Sequence, residues 1–260
     1  MLNRKDAPQA QPSAVRAETS RRSLLAGTAG LIALAGLAAC APAQVASEAA
    51  PVNHATAPQT PREALDALQA GNQRYVAGSP KHPNQETGLR ADLAEHQAPF
   101  ALVHGCVDSR VTPELLFDQG IGDLFVTRTA GAVLDDTLVG SMEFAVSAPY
   151  AVPLLVVLGH TSCGAVTGTL EAMAKDPRNP SLPGEMGDFA DQIVPVARQA
   201  QMAGAQPEDV QTVVEANARA VAEQLLERSS IIRTAVEEKR TRVVPAVYDL
   251  ATGEVRWLKP

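Results

Sequence analysis

Phe100-Ala-Leu-Val-His-Gly-Cys-Val-Asp108 is a near-continuous apolar run that ends in a cysteine and an aspartate. Such a run suits a strand buried on both faces, as in a parallel sheet covered by helices. Leu124-Phe-Val-Thr-Arg128, Leu154-Leu-Val-Val-Leu158 and Val243-Val-Pro-Ala-Val-Tyr248 repeat the pattern downstream. Pro245 puts the fourth run at a sheet margin, because proline has no N–H to give a ladder. Val255-Arg-Trp-Leu258 follows the turn-like Asp249-Leu-Ala-Thr-Gly253 and reads as an antiparallel edge. Helical segments fall between the strands at about 136–148, 164–174, 185–203, 208–227 and 229–239. The alternation predicts an α/β fold: a mostly parallel sheet of four strands plus an antiparallel edge strand, flanked by helices. No internal repeat is visible.

Upstream, Pro61-Arg62-Glu63 opens a helix with a proline early and an acid in the first turn. Leu65, Leu68 and Tyr75 follow at roughly helical spacing, and Gly78-Ser79-Pro80 ends the helix. Residues 79–90 read as loop and Ala91 to His96 as a short helix. The folded domain is therefore read as 61–260, behind a linker over 40–60 rich in Ala, Pro, Gln and Thr. His54 is a solvated residue of that linker.

Residues 1–39 read as an export signal. Arg4, Lys5, Arg16, Arg21 and Arg22 precede an apolar run from Leu24 to Ala39. Ser20-Arg21-Arg22-Ser23-Leu24-Leu25 resembles a twin-arginine signal. Leu37-Ala38-Ala39-Cys40 resembles a bacterial lipobox, which marks Cys40 for lipidation. The run is short and weak for a transmembrane helix. The expected location is the periplasm or the outer face of the cell membrane, with membrane contact only through the signal or lipid anchor.

The whole chain has 260 residues, 45% hydrophobic and 20% charged, which is globular composition. Acidic residues outnumber basic ones 29 to 22, and aromatics make up only 3%. Both facts argue against a nucleic-acid partner. Three cysteines cannot build a dense disulfide framework.

The unusual chemistry collects at two strand ends. The first strand ends in Cys106-Val107-Asp108-Ser109-Arg110 and the third in Gly159-His160-Thr161-Ser162-Cys163-Gly164-Ala165. Ligands of open α/β sheets sit at the carboxyl ends of strands. Cys106 and Asp108, two apart on a strand, point to one face. His160 and Cys163 span a strand-to-helix turn. Cys106, Asp108, His160 and Cys163 together make a tetrahedral zinc set. Two other readings stand beside it: a Cys106–Cys163 disulfide in an oxidising compartment, or inert buried thiols. Asp108 and Arg110 also read as a plain structural ion pair.

Cys-x-Asp-Ser-Arg at 106–110 together with Gly-His-x-x-Cys-Gly at 159–164 resembles the zinc signature of the β-class carbonic anhydrases. Leu68-Gln-Ala-Gly-Asn-Gln-Arg-Tyr75, Asp118-Gln-Gly-Ile-Gly-Asp-Leu-Phe125 and Arg128-Thr-Ala-Gly131 resemble other segments of that family. The resemblance implies one Zn2+ per chain on Cys106, His160 and Cys163, with Asp108 or water in the fourth place. It implies reversible hydration of carbon dioxide to bicarbonate by zinc-bound hydroxide. Asp108 would orient the hydroxide, and Arg110 would keep Asp108 ionised and, in an open state, away from zinc. Gln97 falls where the family contacts substrate oxygen, often across a dimer interface. Phe125 and Ala130 fall where the family builds an apolar pocket, and Phe144 where plant-like members carry tyrosine. Gly131 is grouped with them as permitting a tight chain path near the site. Core packing, or for Gln97 a place on the surface, is the plainer account of these positions.

Ala132 departs from the asparagine common in the family, and Phe144 lacks a hydroxyl. His104 shares a strand face with Cys106 and is a candidate proton relay, with a packed histidine as the default. The resemblance further implies N-terminal helices packed on a partner in a homodimer or higher homo-oligomer. Alternatives to carbon dioxide on the same fold are carbon disulfide and carbonyl sulfide. Outside that enzyme class stands a non-catalytic zinc-binding or disulfide-containing envelope protein.

Overall fold

The computed structural model describes residues 57–259. Four apolar runs become the parallel strands β1 (Ala101–Cys106), β2 (Leu124–Thr129), β3 (Leu154–His160) and β4 (Arg242–Tyr248). The short β5 (Val255–Trp257) pairs antiparallel with β4, giving the order β2-β1-β3-β4-β5. Leu102 pairs with Phe125 on one side and Leu155 on the other, so the ends of β1 and β3 lie side by side.

The strands are apolar on both faces because both faces are covered. On one face Leu102, Leu155, Val157, Val243 and Val247 join a core with Met142, Leu170, Ile193, Val213 and Ile232. These come from α4 (Asp136–Val146), α5 (Gly164–Lys175), α6 (Met186–Met202), α7 (Val210–Arg228) and α8 (Ser230–Glu237). On the other face Val103, Val156, Leu158, Val244 and Ala246 pack with Ala64 and Leu68 of α1 (Pro61–Val76) and Leu116 of α3 (Pro113–Leu116). The short α2 (Leu89–Glu95) precedes β1.

Helix α1 starts where the sequence places it, on a capping box. Glu63 N–H donates to Thr60 Oγ1 at 3.2 Å, and the Glu63 carboxylate accepts from Thr60 N–H at 3.0 Å.

Pro245 refines the sheet-margin reading. Strand β4 lies between β3 and β5, not at the outer edge. The Pro245 carbonyl accepts from Leu258 N–H at 2.9 Å. Its missing N–H faces the same side, just past a three-residue edge strand, so only the last rung of the ladder is forgone.

The loop after α1 is tied down by Asp118, a buried residue in left-handed backbone (φ 46). Its carboxylate accepts from the N–H groups of Lys81 and His82 and from Arg74. Burial pushes the Asp118 carboxyl up, but those donors outweigh it and hold it below its ordinary value.

The export signal, Cys40 and the linker up to residue 56 lie outside the described residues. Among the described residues no helix is long and apolar enough to cross a membrane.

Candidate metal centre

Cys106 ends β1, His160 ends the adjacent β3, and Cys163 is the N-cap of α5. Ser162, in left-handed backbone (φ 54), turns the chain so that residues three apart converge. The ligand atoms of Cys106, His160 and Cys163 lie within 4.8 Å of one another, and all three residues are buried. The sulfurs are 4.0 Å apart and unjoined, about twice the ~2.05 Å of a disulfide.

The imidazole tests whether this set suits a metal. His160 Nδ1 lies 2.9 Å from the Thr161 carbonyl and donates to it, which leaves Nε2 as the lone-pair nitrogen. Nε2 is buried and has no hydrogen-bond partner, alone among the buried side-chain polar atoms described. An unpartnered buried nitrogen costs about 1–3 kcal/mol unless something binds it. A ring fixed by a backbone carbonyl, with its other nitrogen beside two sulfurs, is how histidine is prepared for a metal. Two thiols and one imidazole fit zinc. The Cys106 thiol is pulled down to about 4, chiefly by its hydrogen bond from Cys163 and further by the backbone at Asp108 and Gly131, against burial. Donating that bond pushes the Cys163 thiol up.

Asp108 sits beside the cluster. Its Oδ2 is 3.9 Å from His160 Nε2, but it does not join the three ligands. Arg110 engages it instead: Nε to Oδ1 at 2.9 Å, an Nη to Oδ2 at 2.7 Å, and the backbone N–H to Oδ1 at 3.0 Å. This bidentate pair holds the Asp108 carboxyl well below the usual carboxylate range. Of the four expected ligands three converge, and the fourth is turned to arginine, as in the open arrangement.

Comparison with known proteins agrees with this geometry. Residues 101–255 match the family model described as carbonic anhydrase. A carbonic anhydrase of Mycolicibacterium smegmatis is 43% identical over 198 residues, covering 75% of this chain and 92% of that one. Carbonic anhydrase 2 of Mycobacterium tuberculosis is 42% identical over 197 residues, covering 74% and 90%. Among solved structures, a tetrameric β-carbonic anhydrase of Sordaria macrospora superposes with a TM-score of 0.58 at 26% identity, covering 75% of this chain and 96% of that one. The Coccomyxa β-carbonic anhydrase in complex with acetazolamide gives 0.56 at 26% identity, covering 76% and 82%.

The chain belongs to the β-carbonic anhydrase family.

Two supports of this carbonic anhydrase's site are not evident from its sequence. Arg128 on β2 donates from Nε to the Cys106 carbonyl at 2.8 Å and from an Nη to the Asp108 carbonyl. It therefore grips the chain on both sides of Val107. Asn217 of α7 donates from Nδ2 to the Gly131 carbonyl at 2.8 Å. Gly131 is in left-handed backbone (φ 70), and a Cβ there would meet Ile193 Cδ1 at 2.8 Å, which explains the glycine. Ala132 is left-handed too (φ 55), a conformation that asparagine tolerates better than alanine.

His104 is packed rather than poised. One ring nitrogen lies 3.0 Å from Thr127 Oγ1 and the other 3.2 Å from the Val133 carbonyl. Burial lowers its pKa and favours the neutral ring. With both nitrogens engaged, it has no free atom for a relay.

The residues matched to a substrate pocket do not gather around the cluster of the same chain. Gln97 Nε2 donates to Tyr150 Oη at 3.1 Å. Phe125, Phe144 and Tyr150 form an aromatic group with centroids 5.1 to 6.3 Å apart. Phe125 pairs with Leu102, four residues before Cys106, which puts this group roughly 13 Å from the cluster along the strand. Phe144 is 58% exposed. Ala130 and Gly131, in the short turn after β2, do adjoin the cluster end of the sheet.

Proposed function

We propose that this β-carbonic anhydrase interconverts carbon dioxide and bicarbonate with a zinc ion held by Cys106, His160 and Cys163. The observation that carries the reading is the buried, unpartnered His160 Nε2 between two thiols, beside an aspartate committed to arginine. Bound zinc would supply a Lewis acid that activates water near neutral pH. The chain's own residues do the rest. The two cysteines bind as thiolates, and Thr161 fixes the ring of His160 through Nδ1. Asp108 is kept ionised by Arg110, so its Oδ2 can accept a hydrogen bond from water at the site and fix its orientation. The Arg110 side chain, 56% exposed, keeps the pair in contact with solvent, where a proton can leave.

Gln97, Phe125 and Phe144 are assigned to substrate contact in a homo-oligomer, where one chain's group serves its partner's site. Their distance from the cluster in one chain and the tetrameric state of the Sordaria relative support this. The N-terminal helices would pack on that partner. The enzyme would act in the bacterial cell envelope, anchored at Cys40; the support is the twin arginine at 21–22, the apolar run to Ala39 and the lipobox.

Stopped-flow hydration of carbon dioxide by residues 41–260, with zinc quantified in the same sample, tests the activity. About one zinc per chain with fast hydration, inhibited by acetazolamide, is expected. Zinc without hydration at any pH would move the reading to sulfur-containing substrates or a non-catalytic site. No zinc would end it. Fractionation of host cells carrying wild-type or Cys40→Ser protein tests the location; a cytoplasmic wild type would overturn it.

A further inference from the structure

We propose that Asn217 is a positioning residue of the metal site, acting through the Gly131 turn that borders the ligands. The inference rests on the zinc reading and adds a residue to it.

Asn217 lies in the buried stripe of α7 between Val213, Val214, Ala218, Val221 and Leu225. An amide is a poor choice there. It is a weak helix former, and its burial is costly unless it is hydrogen-bonded. It spends its donor on one group, the Gly131 carbonyl, 86 residues away in sequence. Gly131 is buried and left-handed, with the Ile193 side chain close behind it. Without Asn217 that carbonyl would lose its donor, and no other side chain described would hold the turn through it.

The turn that Asn217 fixes lies beside the ligands. Cys106, Gly131, His160, Cys163 and Asn217 also border one small cavity of about 10 Å3. That space holds no more than one water. Asn217 fixes the turn that forms part of its wall. Such outer contacts tune both how tightly a metal is held and how much charge the ligand gives it.

The test uses Asn217→Leu, which keeps the side-chain size, improves the helix and removes the donor. Zinc affinity is read by competition with a chelator, and the sulfur-to-cobalt charge-transfer band is read after loading with cobalt(II). Wild type and Val221→Ala, a core change one turn away, are the references. The expected result is zinc binding about tenfold or more weaker and a shifted band in Asn217→Leu, with metal-free melting unchanged or raised. Val221→Ala should melt earlier but keep the wild-type affinity and band. Wild-type affinity and band in Asn217→Leu, or an equal affinity loss in Val221→Ala, would overturn the inference. Where Asn217→Leu fails to fold, Asn217→Ala removes the donor with less bulk and gives the same reading. Neither readout involves turnover. Zinc uptake without hydration would sink the proposed activity and leave this inference standing or falling on its own numbers, whereas a wild type that takes up no zinc would sink both.

Discussion

The two ends of the parallel sheet are built differently. At the carboxyl end, Cys106, His160 and Cys163 are buried, converge within one chain, and are braced by backbone and by Arg128 and Asn217. At the amino end, Gln97, Phe125, Phe144 and Tyr150 form a looser aromatic group held by one side-chain hydrogen bond, with Phe144 largely in solvent. The carboxyl end brings its three candidate ligands together within one chain, and the surrounding contacts hold them in register. The amino end faces outward, and an exposed aromatic group is worth most when something covers it. Under the proposed function, the contrast would separate what one chain does, hold a metal, from what an assembly adds, shape the space for substrate.

The largest effect should come from cutting the carboxyl end. Cys163→Ser or His160→Ala removes one of three ligands. Each should leave less than about one-hundredth of the hydration rate, a larger loss than for an outer-contact change, and little zinc by metal analysis. A variant that retains both would mean that the cluster is not the site.

Asp108→Asn comes next and separates binding from turnover. It should keep zinc, since Asp108 is outside the three ligands, and lose most of the hydration. It also has a pH signature. The folded Asp108 carboxyl is depressed by Arg110. A depressed carboxyl adds stability above its unfolded value of about 3.9, and that stability is lost as pH falls toward the lower folded value. Melting curves of wild type should therefore hold steady down to about pH 5 and fall below about pH 4, by more than in Asp108→Asn. Identical acid limbs would deny the ion pair any role in solution.

The amino end is tested by mixing. Gln97→Ala should lower hydration without changing zinc content. Hybrid oligomers of Gln97→Ala and Cys106→Ser chains should recover activity, because the intact Gln97 of one chain then faces the intact ligands of the other. No recovery on mixing, with oligomers present, would return Gln97 to its own chain.

How far this is legible in the sequence follows the same divide. The parallel strands show because burial on both faces leaves continuous apolar runs, and the candidate ligands show because they stand at the ends of two such runs, which pair side by side. The supports do not show. Asn217 reads as one more polar position in a helix, since its partner is 86 residues away. Arg128 reads as part of a motif, but its carbonyl partners on another strand carry no side-chain signal. The same holds for Asp118, whose donors from Lys81 and His82 are backbone N–H groups. The aromatic group is legible as residues but not as a place, because its distance from the cluster depends on strand register.

Gly131→Ala probes the carboxyl end more gently. A left-handed alanine costs about 1–2 kcal/mol, and the Ile193 methyl, 2.8 Å from the new Cβ, must also move. Urea unfolding should show a loss of about 2 kcal/mol, and the displaced peptide should weaken zinc binding. Unchanged stability would mean that the turn relaxes freely and that the cluster does not depend on it.

Phe144→Tyr should have the smallest effect, and the reason is the contrast itself. The ring is 58% exposed, so a hydroxyl at its edge can stay in water and costs no desolvation. Its contacts with Phe125 and Tyr150 are between ring faces and edges and need not change. Under dissociating conditions the melting free energy should stay within about 0.5 kcal/mol of wild type. In the assembled enzyme the same hydroxyl would face a partner's site, so a change in the Michaelis constant with no change in zinc content or monomer stability is the expected pattern. If the hydroxyl instead shifted monomer stability well beyond that range, the aromatic group would belong to the fold of one chain, and its outward-facing role would be wrong.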